Sequence, residues 1–135
     1  MRIFPDANIL LSAARSDGAV RRLLAVLLSK GHTLCADTYV AEEARRNLAA
    51  KAAARLPALA ALLDVIEVAA IQTMPRTLGT YSGLPEKDRP VLAAAIRLKC
   101  DVLVTGDRTH FGRFYDREIG GVRIHSPRTL AELVL

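Results

Sequence analysis

Short apolar runs alternating with helix-forming stretches constrain this chain more than any other feature. The runs fall at Met1 to Phe4, Thr33 to Ala36, Val65 to Ile71 and Val102 to Thr105. Helical patterns follow at 8–14, 19–29, 38–56, 57–63, 89–100, 109–115 and 127–135. Strand-then-helix alternation of this kind predicts a parallel sheet covered on both faces. Pro5 lacks the N–H that would continue a central ladder, so the first strand stops there and Asp6 becomes a strand-end residue. Asp17 or Gly18 caps the second helix, and Asp37 with Thr38 precedes the third. Pro57 and Pro90 are acceptable only in the first turn of new helices. Thr73 to Lys87, with two Pro and two Gly, reads as loop, Gly120 and Gly121 as a turn, and Val122 to His125 as an edge strand.

One domain, 1–135, accounts for the whole chain, which is long enough to bury about two-thirds of its unfolded surface. Aromatics are 4% and tryptophan is absent, so Leu, Ala, Val and Ile must build the core. That suits helices on a sheet and argues against base or cofactor stacking on aromatic platforms. Cys35 and Cys100 lie in apolar surroundings without a CxxC, as buried small hydrophobes do in a reducing compartment. An aspartate interrupts the N-terminal apolar stretch, and no run reaches eighteen apolar residues; the expectation is a cytoplasmic protein away from membranes.

Two of the acids, Asp6 and Asp107, follow short apolar strands, and functional groups in open parallel sheets gather beyond the carboxyl ends of strands. Both also suit a plain cap or turn. Glu42 and Glu43 are about 100° apart around their helix, so both cannot face one small pocket; one or both are alternatively surface residues paired with Arg46. Asp88 opens its helix as an N-cap and has acceptor positions to spare. Four gathered carboxylates repel one another and call for a hard cation such as Mg²⁺ or Mn²⁺. Such a cation neutralises a phosphodiester and generates hydroxide. Setting four acids aside leaves ten to oppose nineteen Lys and Arg, an acidic hole in a basic field that attracts a polyanion. The overall charge of +5 is equally compatible with ordinary solubility.

Asn8, Ser12 and Thr105 are candidates to orient an acid or touch phosphate, or simply to bond within their own segments. Arg108, His110 and Arg113 follow Asp107 as candidate nucleic-acid contacts or a solvated basic loop. The three histidines lack paired zinc-ligand spacing, and phosphate-loop, GxGxxG and GxSxG motifs are missing.

PDANILLSA, EEARRNL and KDRPVLAAAIRLKCDVLVTGDRTHF, in that order, resemble the PIN-domain family, especially the VapC-like toxin branch of toxin–antitoxin systems. The resemblance implies a three-layer α/β/α PIN-like fold with a central, mainly parallel sheet of four to five strands. It makes Asp6 the first metal-binding and catalytic acid, with Asn8 and Ser12 supporting it. The glutamate five residues before the leucine selects Glu43, and Asp88 and Asp107 complete the set. His110 stands where many toxin members carry a further aspartate, which leaves the number of metals open, with Asp101 structural and Asp116 a late contributor. The implied activity is Mg²⁺- or Mn²⁺-dependent endoribonuclease cleavage of RNA, leaving a 5′-phosphate and a 3′-hydroxyl. A homodimer and a cognate antitoxin protein are the implied partners.

Three other readings compete: a PIN-like module that binds RNA or protein without cutting, a small-molecule phosphatase of another α/β class, and an unrelated α/β domain. The phosphatase would place a second aspartate two residues after the first, where this chain has Asn8.

Overall fold

The computed structural model describes residues 1–70 and 89–135; the expected loop and Asp88 lie outside them. Among the described residues six strands form one sheet: β1 Arg2–Pro5, β2 Thr33–Asp37, β3 Glu67–Ala69, β4 Val102–Val104, β5 Glu118–Ile119 and β6 Val122–His125. Their order is β3-β2-β1-β4-β6-β5. Every pairing is parallel except the β5–β6 hairpin. Val122 to His125 is therefore an inner strand rather than the expected edge, because the two-residue β5 turns back at Gly120 and Gly121 and covers it. Both glycines have positive φ, 59° and 85°. A Cβ at Gly120 would also stand 2.7 Å from Ile96 Cδ1, so this turn needs glycine.

The helices are α1 Ala7–Arg15, α2 Ala19–Ser29, α3 Thr38–Ala52, α4 Leu56–Asp64, α5 Arg89–Arg97, α6 Arg108–Phe111 and α7 Pro127–Val134. The moves β1 to β2 to β3 run one way across the sheet and β3 to β4 runs back. Right-handed crossovers therefore put α1 to α4 on one face and α5 on the other. In keeping with this, α1 packs with α2, α3 and α4, while α5 packs on β2 and β4. The expected α/β/α layering holds, with one strand more than expected. No described helix is long and apolar enough to cross a membrane.

Ile3, Phe4, Leu10, Leu27, Leu103, Phe111 and Ile124 are fully buried between the layers. Each large apolar side chain removed from water contributes about 1.5–3 kcal/mol. Cys35 and Cys100 are free and buried in the same core, and burial pushes both thiols up. Asp101 accepts from the Arg2 N–H at 2.8 Å, a structural role at the start of β1.

His125 ends β6 at 5% exposure, with Nδ1 3.0 Å from Thr129 Oγ1 and 3.3 Å from Asp116 Oδ1. Burial pulls its pKa below 6.5, Asp116 opposes that shift and Arg123 adds to it. The folded state thus takes this proton less readily than the unfolded chain. The stability His125 contributes is full above pH 6.5 and drains as the pH falls toward the depressed folded value. Urea midpoints measured from about pH 7.5 to about pH 5 are expected to fall more steeply for the native protein than for His125→Gln.

Candidate active site

β1 reaches its last residue at Pro5, and the Asp6 N–H takes over the ladder by donating to Val104 O at 2.9 Å. That bond pins Asp6 to the carboxyl end of β4. Its carboxylate, 7% exposed, caps α1 by accepting from the Ala7 N–H at 2.7 Å and accepts from Thr105 Oγ1 at 2.9 Å. The sequence reading of Asp6 as strand end and cap is met by one geometry.

Thr105 is the hub of the site and is fully buried. Its hydroxyl donates to Asp6 and accepts from the Asp107 N–H at 3.1 Å, so one side chain ties the two acids that the sequence places 101 positions apart. Its backbone N–H donates to His125 O at 3.0 Å, and its carbonyl accepts from Tyr115 Oη at 2.9 Å. Burial pushes the Tyr115 phenol up, so it remains a neutral donor at physiological pH. Across the β1–β4 boundary, Asn8 Oδ1 accepts from the Gly106 N–H at 3.3 Å, a second tie between the two loops.

Asp107 caps α6 by accepting from the His110 N–H at 3.1 Å, and its other oxygen lies 2.8 Å from His110 Nδ1. His110 thus offsets the Asp107 charge when protonated. Arg108 is exposed at the mouth of this turn, and Arg113 lies over the Phe114 ring at 5.0 Å. Asp116 pairs with His125 at 3.3 Å.

Glu43 is half-buried on α3, beside the stripe of Val40, Ala44 and Leu48 that packs inward. Glu42 is exposed and ion-paired with Arg45, one position earlier than the expected Arg46. Ser12 is exposed one turn beyond Asn8 on α1. Among the described residues no three His, Cys, Asp or Glu side chains converge on one ion position. Asp6 and Asp107 are the two candidate acids that the structure joins.

Asp37, read from sequence only as a cap, does cap α3 through the Val40 N–H at 2.9 Å. Continuing the β1–β2 register also sets it beside Asp6 at the same sheet edge. It is 3% exposed, with Arg97 Nη2 3.8 Å away to offset its charge. The signal for this was a second strand ending in aspartate.

A PIN domain family model matches residues 2–109, most of the chain. No curated protein sequence matches it. Among solved structures, VapBC2 from Rickettsia felis bound to a DNA fragment from the promoter is similar at TM-score 0.64 and 18% identity. That similarity covers 93% of this chain and 98% of that one. VapBC-1 from nontypeable Haemophilus influenzae is similar at TM-score 0.61 and 14% identity, covering 95% and 99%. The fold, the strand-end acids and the family match agree, and the chain belongs to the PIN-domain family.

Proposed function

We propose that this protein is a VapC-like, metal-dependent endoribonuclease, the toxin of a type II toxin–antitoxin pair. The observation that carries the reading is the Thr105 bridge, which presents Asp6 and Asp107 together at the carboxyl edge of a parallel sheet. Oxygen donors of this kind suit Mg²⁺ or Mn²⁺. A carboxylate offers about four acceptor positions, so capping and metal ligation are compatible in Asp6.

Asp6, Glu43, Asp88 and Asp107 are the proposed ligands. When bound, the cation supplies charge neutralisation at the phosphate and a water acidified toward hydroxide. Asp6 and Asp107 hold their positions through Thr105, with Asn8 bracing the loop and Ser12 one turn along α1. Arg108, His110 and Arg113 take neighbouring phosphates. Hydrolysis adds water across the P–O3′ bond, giving a 5′-phosphate and a 3′-hydroxyl. The VapBC neighbours support a cognate antitoxin as partner; a homodimer working in the cytoplasm completes the proposal.

A second reading, a PIN-like module that binds RNA or protein without cutting, draws on the lack of a converged three-ligand cluster among the described residues. Purified protein incubated with a panel of labelled single-stranded and structured RNAs separates the two. Cleavage with Mn²⁺ or Mg²⁺, abolished by chelator, supports the nuclease. Folded protein that cuts none of the panel with either metal refutes it.

A further inference from the structure

Beside the acids, the β4–α6 turn and the β6–α7 junction enclose an open cleft of about 510 Å³. Gly106, Arg108, Tyr115, Ser126, Pro127 and Arg128 line it. Its size lies in the range that takes a small organic ligand. Ser126 already caps the Thr129 N–H and Pro127 has no N–H, so the helix end is largely spent. The positive charge comes instead from the side chains of Arg108 and Arg128. Among the described residues Arg128 pairs with Glu132, at 3.3 Å in an exposed pair of the kind that contributes little and yields readily to a stronger anion.

Residues that line the cleft are tied to the acids through chain and hydrogen bond. Gly106 and Arg108 flank Asp107 in the chain, and Tyr115 donates to the carbonyl of Thr105, whose hydroxyl holds Asp6. An aromatic ring and two guanidinium groups in one cleft form the combination that binds single-stranded nucleic acid. The ring takes a base face and the cations take the backbone. The low aromatic content predicts no stacking platform, and the structure differs at this one place, where Tyr115, one of three tyrosines, lines the cleft.

We propose that this cleft is a nucleotide subsite for single-stranded RNA: the base beside the scissile phosphate stacks on Tyr115, and Arg108 and Arg128 take the adjoining phosphate. The inference rests on the nuclease reading for its neighbouring scissile bond, but its binding chemistry is testable without cleavage.

The test measures fluorescence anisotropy in chelator. The probes are a fluorescein-labelled 12-nucleotide RNA of mixed sequence and an abasic ribose-phosphate strand of the same length. Tyr115→Leu is expected to weaken RNA binding about tenfold and to leave the abasic strand unchanged. Tyr115→Phe, which keeps the ring but not the bond to Thr105, is expected to bind RNA like the native protein. Arg108→Gln and Arg128→Gln are each expected to lower the slope of log K against log salt by about 0.7. Equal loss on both strands in Tyr115→Leu, or native salt slopes in both arginine variants, overturns the subsite. Native RNA affinity in all three variants, as expected if a protein segment fills the cleft, does the same. Should Tyr115→Leu not fold, the arginine slopes decide. Variant effects on binding in a protein that never cuts would sink the nuclease and keep the subsite; cutting with no variant effect would do the reverse.

Discussion

Asp6→Asn is expected to lower metal-dependent RNA cleavage by roughly a hundred- to a thousandfold, the usual loss when a fixed charge is removed from a reacting phosphate's surroundings. The fold should survive, because asparagine caps a helix as well as aspartate does: its one side-chain oxygen keeps the bond from the Ala7 N–H, and its amide donates to Thr105 Oγ1, which turns from donor to acceptor. In chelator the variant is expected to melt at or above the native temperature, since a buried charge has been removed. The contrast should appear on adding Mn²⁺. At a hundredfold excess over its dissociation constant, the metal stabilises the native protein by about 2.7 kcal/mol. Asp6→Asn should lose most of that gain. The paired glutamates provide an internal control. Glu43→Gln is expected to follow Asp6→Asn, while Glu42→Gln, exposed and engaged with Arg45, should leave cleavage near native. Activity retained in Asp6→Asn, or Glu42→Gln falling as far as Glu43→Gln, would sink the assignment.

The elements most legible in the sequence were those with both a period and a punctuation mark. The second helix was read at 19–29 and lies at Ala19–Ser29 because Gly18 starts it and an uninterrupted apolar stripe carries it. The stretch after Asp37 was read one turn too long. The backbone leaves the helical region at Ala52, and Pro57 then sits in the first turn of the next helix, where its missing N–H costs nothing. A short 3₁₀ turn at Ala53–Arg55 links the two helices, and the alanine run gives no local warning. The strand β5 escaped because two residues carry no alternation. At the site, Asp6 and Asp107 were legible as strand-end acids. Thr105 was legible only as a strand-end threonine, since its role as a bridge depends on β1 lying next to β4. Tyr115 and Arg128 were illegible for the same reason: the cleft they share is closed by neighbouring strands that lie apart in sequence.

Because Thr105 is that bridge, Thr105→Val should damage stability and chemistry together. Valine matches threonine in shape, so the cavity terms that dominate most core substitutions are small. What is lost is polar. The Asp107 N–H loses its acceptor and the buried Asp6 carboxylate loses a donor at 2.9 Å. Each unsatisfied group costs about 1–3 kcal/mol, more where one is charged, so a total of about 2–4 kcal/mol is expected. For a chain of this size that lowers Tm by roughly 10 °C. The Asp6 carboxylate then loses one of the bonds that orient it while keeping its cap bond to Ala7, and displacement of a reacting group by about 1 Å costs on the order of a hundredfold in rate. Thr105→Ser separates these effects from simple loss of packing, because it restores the hydroxyl while removing only a methyl group. Serine is expected to recover most of the cleavage rate and only part of the melting temperature. If valine cleaves RNA at the native rate, Thr105 is merely a core residue and the two acids are placed by their strands alone.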